Sequence, residues 1–230
     1  FSNIKIYIRR ISKVVRTALI FGSSGLVGGQ LLNKLIKDTN YSKIKLFVRS
    51  VPEISDSKVH IIKTDFNNLQ NQKEDIRGDD CFFCIGTTKQ NSPDQDEYRR
   101  VELDIPKEIA KIAKSNLVNS FIFVSALYAN PKSLGDYVRF KGLVEEELKR
   151  LNFPKLVLMR PSFLMGDRKE KRVGEKIGIF VFKLLSPLLL GPLKKMRPIP
   201  SETVAKAMIR AANKNLEKNI FESNEIAELF

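Results

Sequence analysis

Short apolar runs alternate with helical patterns along most of this chain, and this alternation restricts its fold more than any other feature. The runs are apolar almost throughout, as strands are when a sheet is buried on both faces. Helical patterns near 26–38, 96–115 and 138–152, with a weaker one near 66–76, lie between them. This order predicts an α/β fold with a doubly wound parallel sheet covered by helices. The predicted strands are 17–21, 43–48, 58–63, 80–85, 118–124 and 155–159.

The alternation ends after residue 160, where a basic region interrupted by prolines begins. We interpret 162–200 as a small C-terminal cap over the open edge of the sheet, which would supply the walls of a substrate pocket. A last helix follows, with Ser201 as its predicted N-cap and 203–212 inside it. The clearest helical period lies at 96–115, where one face carries Val101, Ile105, Ile109 and Ile112.

The formal net charge of +14 is concentrated in two segments. Residues 1–16 carry five basic side chains and no acidic one, and 168–197 carry nine Lys and Arg against two Glu. Such patches suit an anionic ligand, a membrane surface or nucleic acid. The aromatic residues lie in apolar runs rather than among the basic clusters, unlike those of nucleic-acid modules. We therefore expect no nucleic-acid partner, and peripheral membrane contact through either segment stays open.

The basic extension at 1–16 allows two interpretations. Its alternation at 4–8 fits a strand. A helical interfacial anchor or organellar transit peptide fits equally well. The apolar stretch at 177–193 is too short and too interrupted for a membrane span. The localisation is expected to be cytoplasmic, with a membrane-peripheral or organellar location if the extension anchors or targets the chain. Four apolar side chains fall on the helical face: Ile4, Ile8, Ile11 and Val15.

Cys81 and Cys84 form the sequence CFFC, which elsewhere binds metals or carries out redox chemistry. Here the flanking residues make a continuous apolar run that ends at Gly86, as in a buried strand, where positions three apart face opposite sides. Zinc needs about four ligands, and the single histidine, His60, lies in another predicted strand. We predict two core cysteines in a reducing compartment and no metal site.

A glycine-rich turn, GSSGLVG, follows the first predicted strand and opens the first long helix. In a dinucleotide fingerprint Gly22 would make the tight bend, Gly25 would let the backbone approach the pyrophosphate, and Gly28 would let helix and strand pack closely. Amide groups at the helix N-terminus would then face the anion. The sequence therefore predicts a single Rossmann-type domain over 17–230. Its expected cofactor contacts in the turn are Gly22, Ser24, Gly25, Leu26, Val27 and Gly28.

The end of the second predicted strand bears on which dinucleotide binds. A cofactor with a free ribose hydroxyl usually meets an acidic residue there. This chain has Arg49 and Ser50 instead. An arginine can grip a 2′-phosphate in bidentate fashion. We therefore predict NADP(H) rather than NAD(H), with Arg49 as the contact.

A tyrosine and a lysine four residues apart, Tyr137 and Lys141, begin the helix after the fifth strand and share a face. A neighbouring ammonium favours the phenolate and so moves a tyrosine toward acid–base use at neutral pH. Ser125 closes the preceding strand, where strand ends reach the ligand crevice. Its hydroxyl is expected to hold a substrate carbonyl.

These motifs resemble those of the short-chain dehydrogenase/reductases, in the extended or atypical group with a Gly-x-x-Gly-x-x-Gly turn. More narrowly, they resemble the Tat-interacting-protein-like oxidoreductases and their bacterial relatives. The similarity runs from about residue 17 to the C-terminus. It implies NADP(H) as cofactor and Ser125, Tyr137 and Lys141 as the catalytic set, with Lys141 also holding the nicotinamide ribose. The motifs that carry it are FGSSGLVG, CFFCIGTT, VSALYA, DYVRFKGLVEEEL, MRPSFLMGDR and FESNEI.

The resemblance also implies contacts beyond the glycine turn. Asp65 and Phe66, after the third strand, would flank the adenine, although Asp65 also suits a helix cap. Gly86 and Thr87 would line the cofactor beside the fourth strand. Pro161, after the sixth strand, would lie near the nicotinamide.

The leading hypothesis is an NADP(H)-dependent oxidoreductase that transfers hydride to or from a carbonyl or alcohol. A nucleotide-sugar epimerase-like enzyme and a non-catalytic NADPH-sensing protein are the alternatives. The apolar stretch and bases of the cap region hint at an apolar or acidic small-molecule substrate. By analogy with the family, the helices at 96–115 and 138–152 are candidates for a homodimer face.

Overall fold

The computed structural model describes residues 15–166 and 190–229. Within these ranges seven strands form one sheet in the order β3-β2-β1-β4-β5-β6-β9, and every neighbouring pair is parallel. A separate parallel pair joins β7 to β8. The order is that of a Rossmann-type doubly wound α/β fold, as predicted. The strands are β1 (Arg16–Phe21), β2 (Tyr41–Val48), β3 (Val59–Lys63), β4 (Asp80–Phe83), β5 (Ser120–Val124), β6 (Lys155–Arg160), β7 (Leu164–Met165), β8 (Ile199–Pro200) and β9 (Ile220–Glu222).

Helices cover both faces of the sheet. Two of them, α2 and α3, are joined by one π-helical turn at Arg100–Asp104. Short 3-10 helices lie at Leu69–Gln72 and Gly191–Met196. The α-helices are α1 (Leu26–Lys37), α2 (Gln95–Arg99), α3 (Ile105–Ser115), α4 (Asp136–Leu151), α5 (Ser201–Asn213) and α6 (Ser223–Ala227).

The central strands are buried on both sides, which explains their continuous apolar sequences. In β4 the side chain of Phe82 packs in the cluster formed with α1 and α5, whereas that of Phe83 packs in the cluster formed with α3 and α4. Both side chains are completely buried. Cys81 likewise belongs to the second cluster and Cys84 borders the first, so the two sulfurs face opposite sides of the sheet as predicted.

The amino end of the sheet holds a buried polar cluster that the sequence did not reveal. The Asp80 carboxylate has no solvent exposure and lies 2.7 Å from a guanidinium nitrogen of Arg16. It also accepts a hydrogen bond of 2.8 Å from the Tyr41 hydroxyl. The Arg16 guanidinium stacks 4.6 Å above the Tyr41 ring. These contacts fasten the start of β1 to β2 and β4.

The six predicted strands and three predicted long helices are confirmed, with shifts of a few residues at their ends. Two local predictions were wrong. The weak pattern at 66–76 forms only the 3-10 helix Leu69–Gln72. Ser201 is not an N-cap but the first helical residue of α5, after Pro200, and it is buried. The basic extension up to residue 14 and cap residues 167–189 lie outside the described ranges.

Candidate functional site

A crevice opens at the carboxyl edge of the sheet, where β1 and β4 end side by side. These strands are neighbours although they are not consecutive in the chain, and Phe21 pairs with Phe83. The sheet continues through β2 on one side and β5 on the other, so the connections diverge here. Open α/β sheets bind ligands at such a switch point. The strand order therefore brings the glycine turn after β1 and the loop after β4 together.

Close packing requires two glycines of the turn. Gly22 has a φ of +91°, and a Cβ there would lie 2.7 Å from backbone atoms of Cys84 and Ile85. A Cβ on Gly28 would lie 2.1 Å from the Gly22 carbonyl oxygen. Since nonbonded carbon atoms are most stable about 3.5–4.0 Å apart, a side chain at either position would force α1 away from the sheet. These distances fit the tight bend and the close helix packing predicted for the two positions.

The remaining glycine, Gly25, borders the open crevice. It precedes α1 and is exposed, and the nearest atom to a Cβ there would be the Gly22 carbonyl oxygen at 3.4 Å. No side chain caps α1, and its first turn carries no acid. The amides and the positive end of the helix dipole are therefore available to a phosphate. Among the other predicted contacts, Ser24 is exposed and Leu26 is half-buried, whereas the Val27 side chain belongs to the core and leaves only its backbone for a ligand.

Arg49 is exposed and directly follows β2, the strand beside β1. Asp65 is exposed after β3, where its Oδ1 accepts a hydrogen bond from the Asn67 amide. Phe66 has a φ of +62°, and its side chain is buried in the core. Its carbonyl oxygen accepts a hydrogen bond from Arg100. Phe66 can therefore approach an adenine only with its backbone.

The loop after β4 forms the opposite wall of the crevice. Gly86 is exposed, and a Cβ there would lie 3.4 Å from Glu102 Oε1 and 3.9 Å from Lys141 Nζ. The Thr87 amide donates a hydrogen bond to the same Glu102 oxygen. Both residues predicted to line the cofactor thus lie beside the predicted catalytic lysine.

Lys141 connects the parts of the predicted catalytic set. Its ammonium lies 5.9 Å from the centre of the Tyr137 ring and 3.4 Å from the Val124 carbonyl, one residue before Ser125. Tyr137 is 42% exposed, whereas the Lys141 side chain is only 3% exposed. The arrangement therefore presents a phenol to the crevice and keeps the cation behind it.

An ion pair that sequence reasoning missed holds Lys141. Its Nζ lies 3.0 Å from Oε2 of Glu102, and the Glu102 side chain is completely buried. Burial by itself lowers the pKa of Lys141, but the Glu102 carboxylate and the Tyr137 phenol raise it, and the net pKa lies above its ordinary value. The lysine is therefore a cation at neutral pH. Glu102 belongs to the π-helical turn Arg100–Asp104.

A second buried carboxylate, Glu145, holds Ser125. The Ser125 hydroxyl donates a 2.6 Å hydrogen bond to Glu145 Oε1. The same carboxylate receives the Arg160 guanidinium through both of its oxygens, with Nε 2.8 Å from Oε1. Because the Ser125 hydrogen is engaged in this way, its oxygen can only accept a hydrogen bond from a ligand or from a neighbouring hydroxyl.

The remaining surroundings come from the helix start, the β6 end and the cap. Lys89 and Gln95 hold the pKa of Asp136, next to Tyr137, below its usual range. Pro161 is buried, and its carbonyl accepts a 3.0 Å hydrogen bond from the Leu127 amide in the loop after Ser125. From the cap, Lys195 lies 4.7 Å above the exposed Tyr128 ring.

Helix α4 packs without any intervening side chain on the loop that leaves Ser125. A Cβ on Gly142 would lie 2.3 Å from Pro131 N and 2.4 Å from the Asn130 carbonyl carbon. The Asn130 amide donates a 3.1 Å hydrogen bond to the Val138 carbonyl. The spacing between the strand end that carries Ser125 and the helix that carries Tyr137 and Lys141 is therefore fixed by backbone contact.

Comparisons with known proteins show the family and the fold of this chain. A family described as NAD(P)H-binding matches residues 22–215. The chain belongs to the atypical short-chain dehydrogenase/reductases within that family. The match begins at the first glycine of the turn and runs beyond α5, so it includes every site residue described above.

The relatives are fungal and mammalian proteins of similar length. "Protein FMP52-1, mitochondrial" of Scheffersomyces stipitis is 30% identical over 229 residues, covering 93% of this chain and 98% of its own. "Protein HTATIP2" of Rattus norvegicus is 31% identical over 164 residues, covering 70% of this chain and 67% of its own. The latter agrees with the narrower resemblance seen in the motifs.

Solved structures share the fold at low identity. A UDP-N-acetylglucosamine 4-epimerase from Methanobrevibacter ruminantium superposes with a TM-score of 0.67 and 18% identity, covering 90% of this chain and 75% of its own. MoeE5, solved with UDP-glucose and NAD, gives a TM-score of 0.67 with 13% identity over 92% of this chain and 80% of its own. At these identities the comparison bears on architecture alone.

No three His, Cys, Asp or Glu side chains within 15–166 and 190–229 are grouped as a metal ion would require. No helix in this part of the chain is long and apolar enough to cross a bilayer.

Burial raises the pKa of the Cys84 thiol to about 12, against an opposing effect of Lys141. At neutral pH this thiol is protonated and therefore a poor metal ligand.

Proposed function

We propose that this chain is an NADP(H)-dependent oxidoreductase that transfers hydride to or from a carbonyl or alcohol substrate. The observation that carries the proposal is the placement of a buried Lys141 ammonium 5.9 Å from the ring of the exposed Tyr137, beside the exposed Gly86 of the crevice wall. A bound nicotinamide cofactor would supply the hydride chemistry. The glycine turn and the Gly86–Thr87 wall fit such a group.

Tyr137 would hold and move the proton. In the reducing direction its hydroxyl donates a proton to the substrate oxygen, and in the oxidising direction its phenolate accepts one. The Lys141 cation favours the phenolate form in both directions. Ser125 would accept a hydrogen bond from the Tyr137 hydroxyl or from a substrate alcohol, because its own hydrogen is bound to Glu145. This refines the expectation that the serine donates to a carbonyl.

Arg49 supports NADP(H) over NAD(H). It is exposed at the carboxyl edge beside the glycine turn, and Ser50 rather than a carboxylate follows it. A guanidinium there can form charge-assisted hydrogen bonds with a 2′-phosphate. The free ribose hydroxyl of NAD(H) offers it no charge to pair with.

We also propose an organellar rather than a cytoplasmic location. The support is that several fungal relatives, among them the S. stipitis protein, carry the word mitochondrial in their names. The basic extension at 1–16, with one apolar helical face, is compatible with this proposal.

Replacement of the phenol tests the oxidoreductase proposal. Tyr137→Phe should lower the rate of NADPH-dependent reduction of aldehydes and ketones about 10²–10⁴-fold, the usual contribution of acid–base catalysis. The NADPH dissociation constant should change less than about threefold, since the ring stays in place. Both values come from steady-state kinetics and fluorescence titration.

Tyr41→Phe is the matched control, because it removes the same atom at the opposite end of the sheet. It should leave the activity of the folded protein unchanged. Full activity in Tyr137→Phe would refute the assignment. NADPH binding without turnover by the parent protein over a broad carbonyl and alcohol panel would favour the non-catalytic alternative.

A further inference from the structure

Glu102 is a completely buried carboxylate that pairs with an ammonium through one oxygen and accepts a backbone hydrogen bond through the other. Its Oε2 lies 3.0 Å from the Lys141 ammonium of α4. Its Oε1 accepts the backbone amide of Thr87, in the loop after β4. The same oxygen lies 3.4 Å from the position of a Cβ on Gly86. One side chain thus joins the crevice wall to the lysine.

The ammonium and the amide face different oxygens of Glu102, and neither oxygen can carry a hydrogen against them. An ionised carboxylate supplies both, whereas an amide has one oxygen and would turn its NH₂ group toward either Lys141 or Thr87. A protonated acid would likewise place a hydrogen against one donor. Both members of the pair are at most 3% exposed, so each charge depends on the other for compensation. The environment therefore selects a charged glutamate at this position.

The backbone that carries Glu102 departs from an α-helix at this position. The turn Arg100–Asp104 is π-helical between α2 and α3, and turns of this kind occur frequently at functional sites. Glu102 is nevertheless aligned with Ile105 and Ile109 of α3, which are buried in the core. Packing alone does not require a carboxylate on this apolar face. A protein in which two apolar side chains replace a buried ion pair is often as stable as the one with the pair.

We propose that Glu102 is a positioning residue. It holds the Lys141 ammonium behind Tyr137 and links it to the Gly86–Thr87 wall. Its carboxylate also competes with the Tyr137 phenolate for the positive charge of Lys141. The role rests on the proposed function, because it uses Tyr137 and Lys141 as the acid–base pair. Glu102 itself touches neither of the predicted ligands.

The charge near Tyr137 then depends on a small set of groups. Among the described residues, Glu102 is the carboxylate in contact with Lys141, and its loss removes the charge that competes with the phenolate for the ammonium. Neutralising Glu102 should therefore let the phenol ionise at lower pH. Within 15–166 and 190–229, the titratable groups that face this pair are Lys141 and Asp136 of α4, Tyr98 of α2, Glu102 of the π-helical turn, Cys84 after β4, and Lys89 of the following loop.

Ionisation of Tyr137 can be measured without turnover. Protein with ¹³C-labelled tyrosine rings is titrated by NMR without cofactor, and Tyr137→Phe assigns the resonance. In Glu102→Gln the midpoint for Tyr137 should shift to lower pH. Glu108→Gln is the matched control, since Glu108 lies on α3 and pairs with Arg100 at 3.0 Å; its midpoint should equal that of the parent protein.

Glu102→Asp provides a second variant if the glutamine variant does not unfold cooperatively. It keeps the negative charge, but its side chain is shorter by one methylene, so the charge lies farther from Lys141. The titration midpoint of Tyr137 should therefore shift in the same direction by a smaller amount. Glu108→Asp is the control. A midpoint that is unchanged or raised in a folded Glu102 variant overturns the proposal. Absence of reductase activity in the parent protein would refute the proposed function alone, because the titration needs no turnover.

Discussion

The two ends of the parallel sheet each bury a carboxylate against a cation, yet they surround it differently. At the amino end Asp80 binds Arg16 and Tyr41, and the Tyr41 side chain is only 1% exposed. At the carboxyl end the pair formed by Glu102 and Lys141 is just as buried, but it lies behind a tyrosine that is 42% exposed.

The difference separates a structural use of buried charge from a chemical one. The hydrogen bond and ion pair of the amino-end cluster join β1 to β2 and β4, and its tyrosine is buried. At the carboxyl end the protein compensates the lysine while leaving the neighbouring phenol open to the crevice. Substitutions in the Asp80 cluster at the amino end should affect stability alone. Substitutions that break contacts at the carboxyl end should affect both stability and function.

The largest effect is expected for Glu145→Gln, at the carboxyl end. Glu145 is buried against Ser125 and the Arg160 guanidinium, and removing one partner of a buried ion pair costs about 3–5 kcal/mol. Urea denaturation should show this loss. The activity of the folded fraction should also fall, because glutamine keeps a single acceptor oxygen, for which Ser125 and the Arg160 guanidinium then compete. Glu146→Gln, at the next position, removes only an exposed contact of 3.7 Å to Arg150 and should cost less than about 1 kcal/mol. Equal costs for the two variants would contradict the assignment.

Asp80→Ala should destabilise the protein by about 3 kcal/mol, because it leaves two buried or partly buried donors, Tyr41 and Arg16, without their acceptor. Tyr41→Phe removes one hydrogen bond and should cost about 1 kcal/mol. Both values can be measured by urea denaturation. The NADPH dissociation constant of the folded Asp80→Ala protein should match that of the parent. A large change in this constant would contradict a purely structural role for the amino-end cluster.

Arg49→Ala should leave stability unchanged and affect only cofactor binding. NADPH should bind at least tenfold more weakly, about 1.4 kcal/mol, while the dissociation constant for NADH and the free energy of unfolding stay unchanged. Titration of both cofactors measures this. Arg77→Ala removes the same charge near the amino end of β4, from an exposed side chain, and controls for net charge. An equal loss in the two variants would mean that Arg49 makes no specific contact.

The sequence predicted those features that depend on local patterns. Continuous apolar runs identified the strands, and the glycines identified the turn after β1. In that turn Gly22 has a φ of +91° and close contacts that exclude a side chain. Tyr137 and Lys141 could be paired because four residues in a helix bring two side chains to one face. Ser201 was misassigned because a serine before an apolar pattern also fits the first helical position, with Pro200 in front of it.

Glu102 and Glu145 were missed because burial of a glutamate is decided by residues far away in sequence. Signals were nevertheless present. Glu102 lies on the apolar face of the helix predicted at 96–115, and Glu145 follows Lys141 by four residues in a run of three glutamates. Neither signal states which cation compensates the charge. For Glu102 the identity of this cation also depends on the π-helical turn, which no residue pattern in the sequence predicts.

The backbone contact at Gly142 has a consequence for how a ligand enters. Since α4 rests on the Asn130–Pro131 backbone with no space for even a methyl group, no ligand can enter through this contact between α4 and the loop after Ser125. Gly86 and Tyr137, by contrast, are exposed. We therefore expect a ligand to reach the phenol from the crevice that these two residues line.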